Sequence, residues 1–178
     1  MDPIEVMIKE YETLREEILA TMHVRSSILS FGLATIGAII TASIAVSVSG
    51  SYSPLSNLML ILGVPAVSNF VLFMWLGEYQ RMQRAGRFLV DLERRVNDKA
   101  EENLLTWETH LREQSRHLKY PYHTTVLLFM AISVISLVAG LITFGLFTAW
   151  IWILAAAGII LHLAVYRYVT SSIARMVR

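Results

Sequence analysis

The residues with the most chemical potential in this chain are uncharged and lie inside long apolar stretches. Thr41 and Ser43 carry hydroxyl groups, and Asn69 carries a primary amide whose polar atoms need partners in a medium without water. Pro65 cannot donate a backbone hydrogen bond to Ile61, so the sequence predicts a kinked helix at that point. These residues are candidates for lining a pore or forming its hinge. The alternative is that the Asn69 amide only bonds neighbouring helices together.

The titratable residues give weaker signals. His162 lies in the last apolar stretch, and a buried imidazole can relay protons, although the nearby Arg167 favours a position at the membrane interface. His110, Glu113 and His117 share a helix face, but a metal site would need more ligands and a pocket. We expect these side chains to lie at the surface. The sequence therefore predicts no catalytic, cofactor-binding or metal-binding residues.

Composition argues against several classes of function. The chain has no cysteine, so disulfides, thiolate nucleophiles and zinc–thiolate sites are absent. It contains no glycine-rich phosphate loop, nucleophile elbow or H-E-x-x-H motif, and we do not expect an enzyme. Residues 78–119 carry nine basic and eight acidic side chains, a balance that does not favour binding to nucleic acid.

Two stretches without any Asp, Glu, Lys or Arg dominate the chain. They are residues 26–77 and 120–166, together 99 of 178 residues. A helix crosses the ~30 Å core of a bilayer in about 20 residues, so each stretch is long enough to cross twice. The sequence predicts an all-α membrane protein with four spans in two hairpins, at about 26–48, 56–76, 124–146 and 148–166. Ser49–Pro54 and Gly145–Thr148 form the predicted turns.

The basic residues predict the orientation. All 15 Lys and Arg lie in residues 9–25, 81–119 and 167–178, and neither predicted turn contains any. Because basic segments stay on the cytoplasmic side, we expect both termini and the middle segment in the cytoplasm of a multi-pass plasma (inner) membrane protein.

The chain therefore divides into five predicted segments. These are an amphipathic cytoplasmic helix (1–25), a transmembrane hairpin (26–77), a cytoplasmic helical segment (78–123), a second hairpin (124–166) and a basic tail (167–178) expected on the anionic inner leaflet. Asp2 and Pro3 predict the start of the first helix, and no helix breaker separates it from the first span. We expect that helix to continue into the membrane.

Small residues recur every four positions in the first span and form a small-residue stripe. The stripe consists of Ser30, Ala34, Ala38 and Ala42. Small residues allow helix backbones to approach closely in lipid. The stripe predicts helix packing, either against the second span of the same chain or against another subunit.

The cytoplasmic segment carries an apolar heptad pattern that predicts an assembly seam. Its candidate residues are Met82, Leu89, Leu92 and Val96. Asn97–Glu101 predicts a helix break followed by a second helix that ends before Pro121. The pattern leaves open whether the seam closes within one chain or between chains. With the small-residue stripe, it leads us to expect a cyclic homo-oligomer.

The order of segments in the first half of the chain resembles the SLATT-type proteins of bacterial conflict systems. The shared layout is a cytoplasmic helix, a two-span hairpin (26–76) and a following cytoplasmic helix (78–96), about half of the chain. The resemblance implies a small membrane-permeabilising defence effector. The second hairpin, 124–166, departs from that two-span pattern.

Two functions remain open from sequence. The first is an oligomeric pore or ion channel in lipid. The second is a membrane-anchored adaptor that recruits a soluble cytoplasmic partner through residues 78–119, which hold 17 of the chain's 29 charges. A coupled transporter is disfavoured because such proteins usually carry intramembrane charges, and the four predicted spans have none.

Overall fold

The structure is a computed structural model that describes residues 2–49, 54–114, 120–144 and 149–176, and all regular structure within these ranges is helical. The helices are α1 (Pro3–Val48), α2 (Pro54–Leu58), a π-helical turn (Met59–Gly63), α3 (Val64–Ala100), α4 (Trp107–Gln114), α5 (Tyr120–Phe144) and α6 (Ala149–Met176). The predicted all-α fold is confirmed. Most of the first predicted turn and all of the second lie outside the described residues.

Helix α1 is one uninterrupted helix of 46 residues. Its first turn is capped as the sequence predicts, because the backbone N–H of Ile4 donates to Oδ1 of Asp2 at 3.0 Å. The expectation that the amphipathic N-terminal helix continues into the first apolar stretch is confirmed. At 1.5 Å per residue, α1 is about 69 Å long, roughly twice the thickness of a bilayer core.

The chain departs from α-helical geometry directly before Pro65. Met59–Gly63 form a π-helical turn, and the N–H of Val64 bonds to the carbonyl of Met59, five residues earlier. Proline has no N–H, so neither Ile61, four residues before Pro65, nor Leu60, five residues before it, receives a hydrogen bond from position 65. The wider turn therefore lies where the sequence predicts a kink, and such turns are frequent at functional sites.

Helix α3 continues to Ala100, so the break predicted at Asn97–Glu101 occurs at the end of that range. The helix ends at Glu101, whose φ of 56° lies in the left-handed region. Asn97 does not end the helix because its side chain instead holds the loop that follows, with hydrogen bonds to Leu104 and Leu105. Helix α4 begins only at Trp107.

The chain forms two compact units. The charged unit comprises residues 1–27 and 77–122, and the apolar unit comprises residues 28–76 and 123–178. Helices α1 and α3 are long enough to contribute one part of their length to each unit.

The predicted cytoplasmic seam closes within the chain. Leu89 and Leu92 of α3 are fully buried against Tyr11 of α1, and Leu105 packs against the same cluster. Three half-buried residues of α1, namely Met7, Leu14 and Ile18, complete it. Of the other two predicted seam residues, Val96 is buried and Met82 is half-buried.

Helices α1 and α3 run antiparallel in the charged unit. Glu17 of α1 pairs with Arg81 of α3 at 2.7 Å, whereas Tyr11, earlier in α1, contacts Glu93, later in α3. Arg25 is the last basic residue before the apolar stretch, and its guanidinium lies over two tyrosine rings. The ring centroids of Tyr79 and Tyr122 are 5.6 Å and 5.5 Å away.

Three helices in the described part of the chain are long and apolar enough to cross a membrane. They cover Pro3–Val46, Leu55–Ala100 and Tyr122–Ile142. The prediction of transmembrane helices is thereby confirmed at this level. The fourth predicted span, 148–166, and the arrangement of spans in two hairpins stay predictions.

Candidate functional site

Three of the four predicted pore or hinge residues are buried inside the apolar unit. Ser43 is 3% exposed, Asn69 is 7% exposed and Pro65 is buried, whereas Thr41 lies on the exposed side of α1. Pro65 and Asn69 lie one helical turn apart on α3, and Thr41 does not share their surroundings. The three buried residues therefore lie in the interior of the apolar unit, where they are shielded from the surface.

Helices α3 and α5 carry matching series of buried residues at heptad spacing. The first series begins in the π-helical turn and continues along α3, with Ile61, Pro65, Ser68, Leu72 and Trp75, and on α5 the series is Val126, Phe129, Ser133, Ser136 and Gly140. Both series advance by steps of four and three residues, which is the spacing of one face of a helix packed against another.

Gly140 fixes how the two series face each other. A methyl group at Gly140 would lie 2.5 Å from Cγ1 of Ile61 and 3.2 Å from Cβ of Leu60, so only glycine permits this approach. Tyr79, later on α3, contacts Tyr122, early on α5, with the ring centroids 4.4 Å apart. The contacts therefore move forward along α3 as they move backward along α5, which corresponds to an antiparallel pair. In this register Ser136 lies opposite Pro65, and Ser133 lies opposite Ser68.

The middle of this interface is a polar layer without charge. Its members are Pro65, Ser68, Asn69, Ser133 and Ser136, all of them buried. None of the five titrates in the physiological range, so the layer has no acid–base chemistry of its own. It can offer only hydroxyl and amide groups to a ligand.

Two atoms of the polar layer have no hydrogen-bond partner among the described residues. The Ser133 hydroxyl donates to the carbonyl of Phe129 at 2.9 Å, and the Ser136 hydroxyl donates to the carbonyl of Ser133 at 3.0 Å. Oγ of Ser68 and Oδ1 of Asn69 make no such bond, although Ser68 is 0% exposed. Serine hydroxyls often bond back to the carbonyls of their own helix, and buried polar atoms are nearly always hydrogen-bonded. The lack of a partner for Oγ of Ser68 and Oδ1 of Asn69 therefore needs an explanation.

The polar layer has different neighbours on its two sides. We define the turn end of the apolar unit as the end where α1 finishes and α2 begins, and the basic end as the end nearest Ile28 and Leu76. Toward the turn end the buried residues are mixed, with the polar Ser43, Ser56 and Asn57 beside the apolar Leu60, Ile61 and Val64.

Toward the basic end the same interface contains an apolar plug. It consists of Leu72 and Trp75 of α3 with Phe129 and Val126 of α5, each at most 1% exposed. By the same register, Leu72 lies opposite Phe129 and Trp75 lies opposite Val126. On this side of the polar layer, from Leu72 onward, these buried residues of the α3–α5 interface are apolar.

The small-residue stripe lies on an exposed face of α1 in the part of the chain that the structure describes. Its four residues are all exposed. Helix α1 instead packs against its own chain through Gly32 and Ile36, and a methyl group at Gly32 would lie 2.6 Å from Cγ2 of Val71. Packing of the stripe against another subunit stays a prediction.

A buried carboxylate organises the charged unit. Glu93 of α3 is 1% exposed and accepts hydrogen bonds from the Tyr11 hydroxyl at 2.9 Å, from the N–H of Glu108 at 2.8 Å, and from both the N–H and hydroxyl of Thr109. It therefore caps the first turn of α4 and joins three helices. Burial raises the pKa of Glu93, but the hydrogen bonds from Glu108, Thr109 and Tyr11 outweigh it and bring the pKa below its usual value.

Of the three residues predicted to share a surface face, the structure describes His110 and Glu113. No group of three or more metal-ligating side chains occurs among the described residues. His110 and Glu113 are exposed, and His117 lies outside the described residues, as does the side chain of His162.

Comparisons with known proteins do not assign the chain to a family. No protein-family model, curated protein or solved structure matches it. The resemblance to SLATT-type proteins therefore stays an expectation, and the function has to be argued from the geometry of the chain.

The sequence did not single out Ser68, Ser133, Gly32 or Glu93, whereas Ser136 and Gly140 form a weaker small-residue pattern in the third predicted span. The signal for Ser133 was present as heptad spacing in α5, but a serine in an apolar stretch is equally well explained as a packing residue. Glu93 could not be recognised as buried because it lies next to Leu92 in a charged segment, where its neighbours are expected to be exposed. Its burial depends on α4, which lies 14 residues further along the chain.

Proposed function

We propose that this chain is an integral membrane protein that forms a homo-oligomeric channel for water, small neutral solutes or monovalent ions. The observation that carries the proposal is the pair of buried, unpartnered polar atoms on Ser68 and Asn69. In a hydrocarbon surrounding, each unsatisfied polar group costs several kcal/mol. A conducted solute or water would provide the missing partners.

The chemistry of the interior limits what the channel conducts. Residues 28–76 and 123–166 contain no charged side chain, so the lining offers hydroxyl, amide and carbonyl groups alone. Such a lining has no fixed charge to select strongly for one sign of ion. It also lacks the intramembrane acids and bases that drive coupled transport, and we propose neither catalysis nor a cofactor.

Association of subunits through α1 is the second part of the proposal. Only 17% of the apolar window of α1 is buried within the chain, against 50% for the helix that contains α3. The uncovered face carries the small-residue stripe, and Gly37 on the same helix has open space around it. Small residues serve close helix contacts better than contacts with lipid tails, so we propose that a second copy packs here.

The proposed setting is the plasma (inner) membrane. The clustering of all 15 Lys and Arg in three segments supports four spans with both termini in the cytoplasm. Within that setting, permeabilisation of the membrane is the role that the resemblance to SLATT-type proteins implies.

Release of a small solute from lipid vesicles tests the channel directly. Vesicles containing the purified chain should lose an entrapped solute faster than empty vesicles. Asn69→Leu should slow the release severalfold because it removes the amide from the polar layer, whereas Val134→Leu, at an exposed position of α5, should not. If the wild-type chain does not accelerate release of any small solute at any voltage or pH tested, the channel proposal fails.

Association can be tested separately, because the chain has no cysteine. Single-cysteine variants can be oxidised in the membrane, and Ala38→Cys should form disulfide-linked dimers. Ile135→Cys is a matched control, since it is 67% exposed on a face of α5 without a small-residue stripe. Equal cross-linking at the two positions would contradict association through α1.

An adaptor remains the second candidate because the charged unit exposes apolar side chains. Trp107 and Leu104 are each 53% exposed, and the Arg15 guanidinium lies 5.7 Å from the centroid of the Trp107 ring. Exposed tryptophan with a neighbouring arginine is typical of binding hot spots. In an adaptor, Trp107→Ala should abolish recruitment of the soluble partner, and Asn69→Leu should leave recruitment unchanged.

A further inference from the structure

The outer side of α1 in the charged unit carries exposed carboxylates. Glu5, Glu12 and Glu16 recur at steps of seven and four residues, which places them on one side of the helix. All three are exposed, and no basic group lies within ion-pair distance of them among the described residues. We call these three residues the acidic face. Lys9, exposed nearby, offsets one of its three charges.

The outer side of α3 carries the opposite charge on three exposed arginines that we call the basic face. They are Arg84, Arg87 and Arg95. None of them has a carboxylate within ion-pair distance in the described part of the chain. Asp91 lies among them but pairs with Arg94 at 3.2 Å, whereas Asp98, at the far end, offsets one of the three charges. Both faces therefore keep a net charge, and the two charges are opposite in sign.

The two faces cannot neutralise each other within one chain. Helices α1 and α3 pack through the cluster of Tyr11, Leu89 and Leu92, and each face lies on the other side of its helix from these buried residues. The faces are nevertheless equal in length. Eleven residues separate the ends of the acidic face, and eleven separate the ends of the basic face, which is three helical turns or about 16 Å in each case.

The two faces also lie at the same level along the charged unit. Glu16 is adjacent to Glu17, which pairs with Arg81, and Arg84 follows Arg81 by three residues. All subunits of an oligomer share one orientation in the bilayer, so a rotation about the membrane normal moves a subunit sideways without changing its level. A neighbouring chain therefore brings its Arg84 to the level of Glu16.

We infer that the acidic face of one chain packs against the basic face of a second copy, and that repetition of this contact closes a ring. A contact between two different surfaces leaves one surface of each kind open on the pair, so further copies add until the ring closes. This inference rests on the proposed homo-oligomeric association and adds the surfaces that meet and their direction around the ring.

A second copy fits the basic face better than anionic lipid does. Arg95 lies 18 residues beyond Gly77, where α3 enters the charged unit, which is about 27 Å along the helix. Attraction to charged lipid head groups falls off within a Debye length of about 8–10 Å. A second copy also supplies an acidic face of matching length and level.

Contact between copies through the small-residue stripe is compatible with this ring. Helices that meet through small residues spaced four apart commonly cross at about 40°. Ala38 lies 26 residues after Glu12, about 39 Å along α1. Two copies of α1 that cross near Ala38 are therefore well separated at the level of the acidic face. This separation avoids repulsion between two acidic faces and leaves room for a neighbouring α3.

Disulfide formation between two differently tagged variants tests the inference, because the natural chain has no cysteine. Full-length Glu16→Cys and Arg84→Cys would be produced together, and the membranes would then be oxidised. We expect disulfides that join the two tags, and none in membranes that contain either variant alone. Glu10→Cys is the control for Glu16→Cys, since it is exposed on another side of α1 and should give no such product with Arg84→Cys.

The pattern of products distinguishes the proposed contact from others. Disulfides formed by Glu16→Cys alone would show that two acidic faces meet, and would overturn the inference. The absence of any product from the mixture, or equal products with Glu10→Cys, would overturn it as well. A chain that carries both Glu16→Cys and Arg84→Cys should form a series of cross-linked species that ends at one size, whereas a series without an upper limit would contradict ring closure.

Reversal of charge tests the attraction itself. Glu12→Arg with Glu16→Arg should raise severalfold the protein concentration at which half of the oligomer dissociates in detergent, and Arg84→Glu with Arg87→Glu should do the same. All four substitutions in one chain make the faces opposite in charge again and should restore assembly. Glu10→Arg, the control, should leave assembly unchanged. A fourfold variant that dissociates as readily as the two double variants would contradict the pairing.

The failure of this interface is distinguishable from the failure of the channel. If the mixed variants do not cross-link while Ala38→Cys does and vesicles release solute, the interface is wrong and the channel survives. If the two faces cross-link and no solute is released, the interface is supported and the channel function is contradicted.

Discussion

The Tyr11 hydroxyl donates a 2.9 Å hydrogen bond to Oε1 of Glu93, 82 residues away in sequence. This bond joins α3 to the part of α1 that is predicted to lie in the cytoplasm, and both residues belong to the charged unit. The same carboxylate accepts bonds from Glu108 and Thr109 at the start of α4. A buried charge is tolerated here because four donors surround it, which makes Glu93 the most sensitive residue of this unit.

Replacement of Glu93 should release α4. In Glu93→Gln the amide group cannot accept all four hydrogen bonds, so we expect a loss of about 1–3 kcal/mol of local stability. Hydrogen exchange measured by mass spectrometry should show faster exchange in residues 107–114. Asp91→Asn is the control, because it removes only the exposed 3.2 Å pair with Arg94 and should change exchange little. Equal exchange in all three proteins would contradict the role of Glu93.

The Tyr11–Glu93 pair also predicts how the charged unit responds to pH. Because the pKa of Glu93 is lowered from 4.5, its contribution to stability is complete above pH 4.5 and is lost as the pH falls through the lowered pKa. Burial and the hydrogen bond to Glu93 raise the pKa of Tyr11 from 10.0 to about 12. The Tyr11 contribution is therefore complete below pH 10.0 and is lost as the pH rises toward about 12.

Tyrosinate absorbance checks the alkaline half of this prediction. The difference between titrations of the wild-type chain and Tyr11→Phe should show one tyrosine that ionises near pH 12. When both titrations are repeated in the Glu93→Gln background, the ionisation of Tyr11 should move toward pH 10.0, the ordinary pKa of tyrosine. A Tyr11 that already ionises near the ordinary value in the wild-type chain would show that the pair does not form.

Asn97 should hold the loop between α3 and α4. Its Nδ2 donates to the carbonyl of Leu105 at 2.7 Å, and its Oδ1 accepts from the N–H groups of Leu104 and Leu105, both at 2.9 Å. Asn97→Ala removes all three bonds, so limited proteolysis within residues 101–106 should become faster. Asp98→Ala, at the neighbouring exposed position, should cleave at the wild-type rate. Similar cleavage rates for the two variants would contradict this assignment.

Two glycines of similar sequence context should respond differently to alanine. Gly140→Ala places a methyl group 2.5 Å from Cγ1 of Ile61 and 3.3 Å from its backbone nitrogen, so we expect a loss of about 1–3 kcal/mol and a lower Tm. Gly37→Ala has nothing within 4 Å and should be neutral or slightly stabilising. Thermal unfolding in detergent, followed by size-exclusion chromatography, measures both. An unchanged Tm for Gly140→Ala would remove the basis of the α3–α5 register.

Long-range patterns in the sequence predicted the helices well. The continuous course of α1 follows from the absence of a helix breaker before the first apolar stretch, and the apolar helices follow from the length of the charge-free stretches. The burial of Leu89, Leu92 and Val96 follows from heptad spacing, which local helix geometry dictates. The predicted break at Asn97–Glu101 occurs only at its end, and the second helix begins later than predicted because the Asn97 side chain holds Leu104 and Leu105 in a loop.

The candidate site was predicted only in part because it depends on register. Pro65 and Asn69 stand out as single residues in an apolar stretch. Ser68 and Ser133 gain meaning only when α3 and α5 are aligned, and that alignment depends on the close approach at Gly140. The small-residue stripe shows the same limit, because its spacing suits contact with any helix and does not say which.

The reversal potential of an Asn69→Asp channel tests the central claim most directly, namely that the uncharged interior of the chain conducts. The measurement uses a planar bilayer with unequal salt on its two sides, at a pH high enough to ionise a buried aspartate. A carboxylate in the polar layer should shift the reversal potential toward that of cations, while Ala38→Asp on the exposed face of α1 should not shift it. Wild-type conductance and reversal potential in Asn69→Asp, with a shift in Ala38→Asp, would contradict the account.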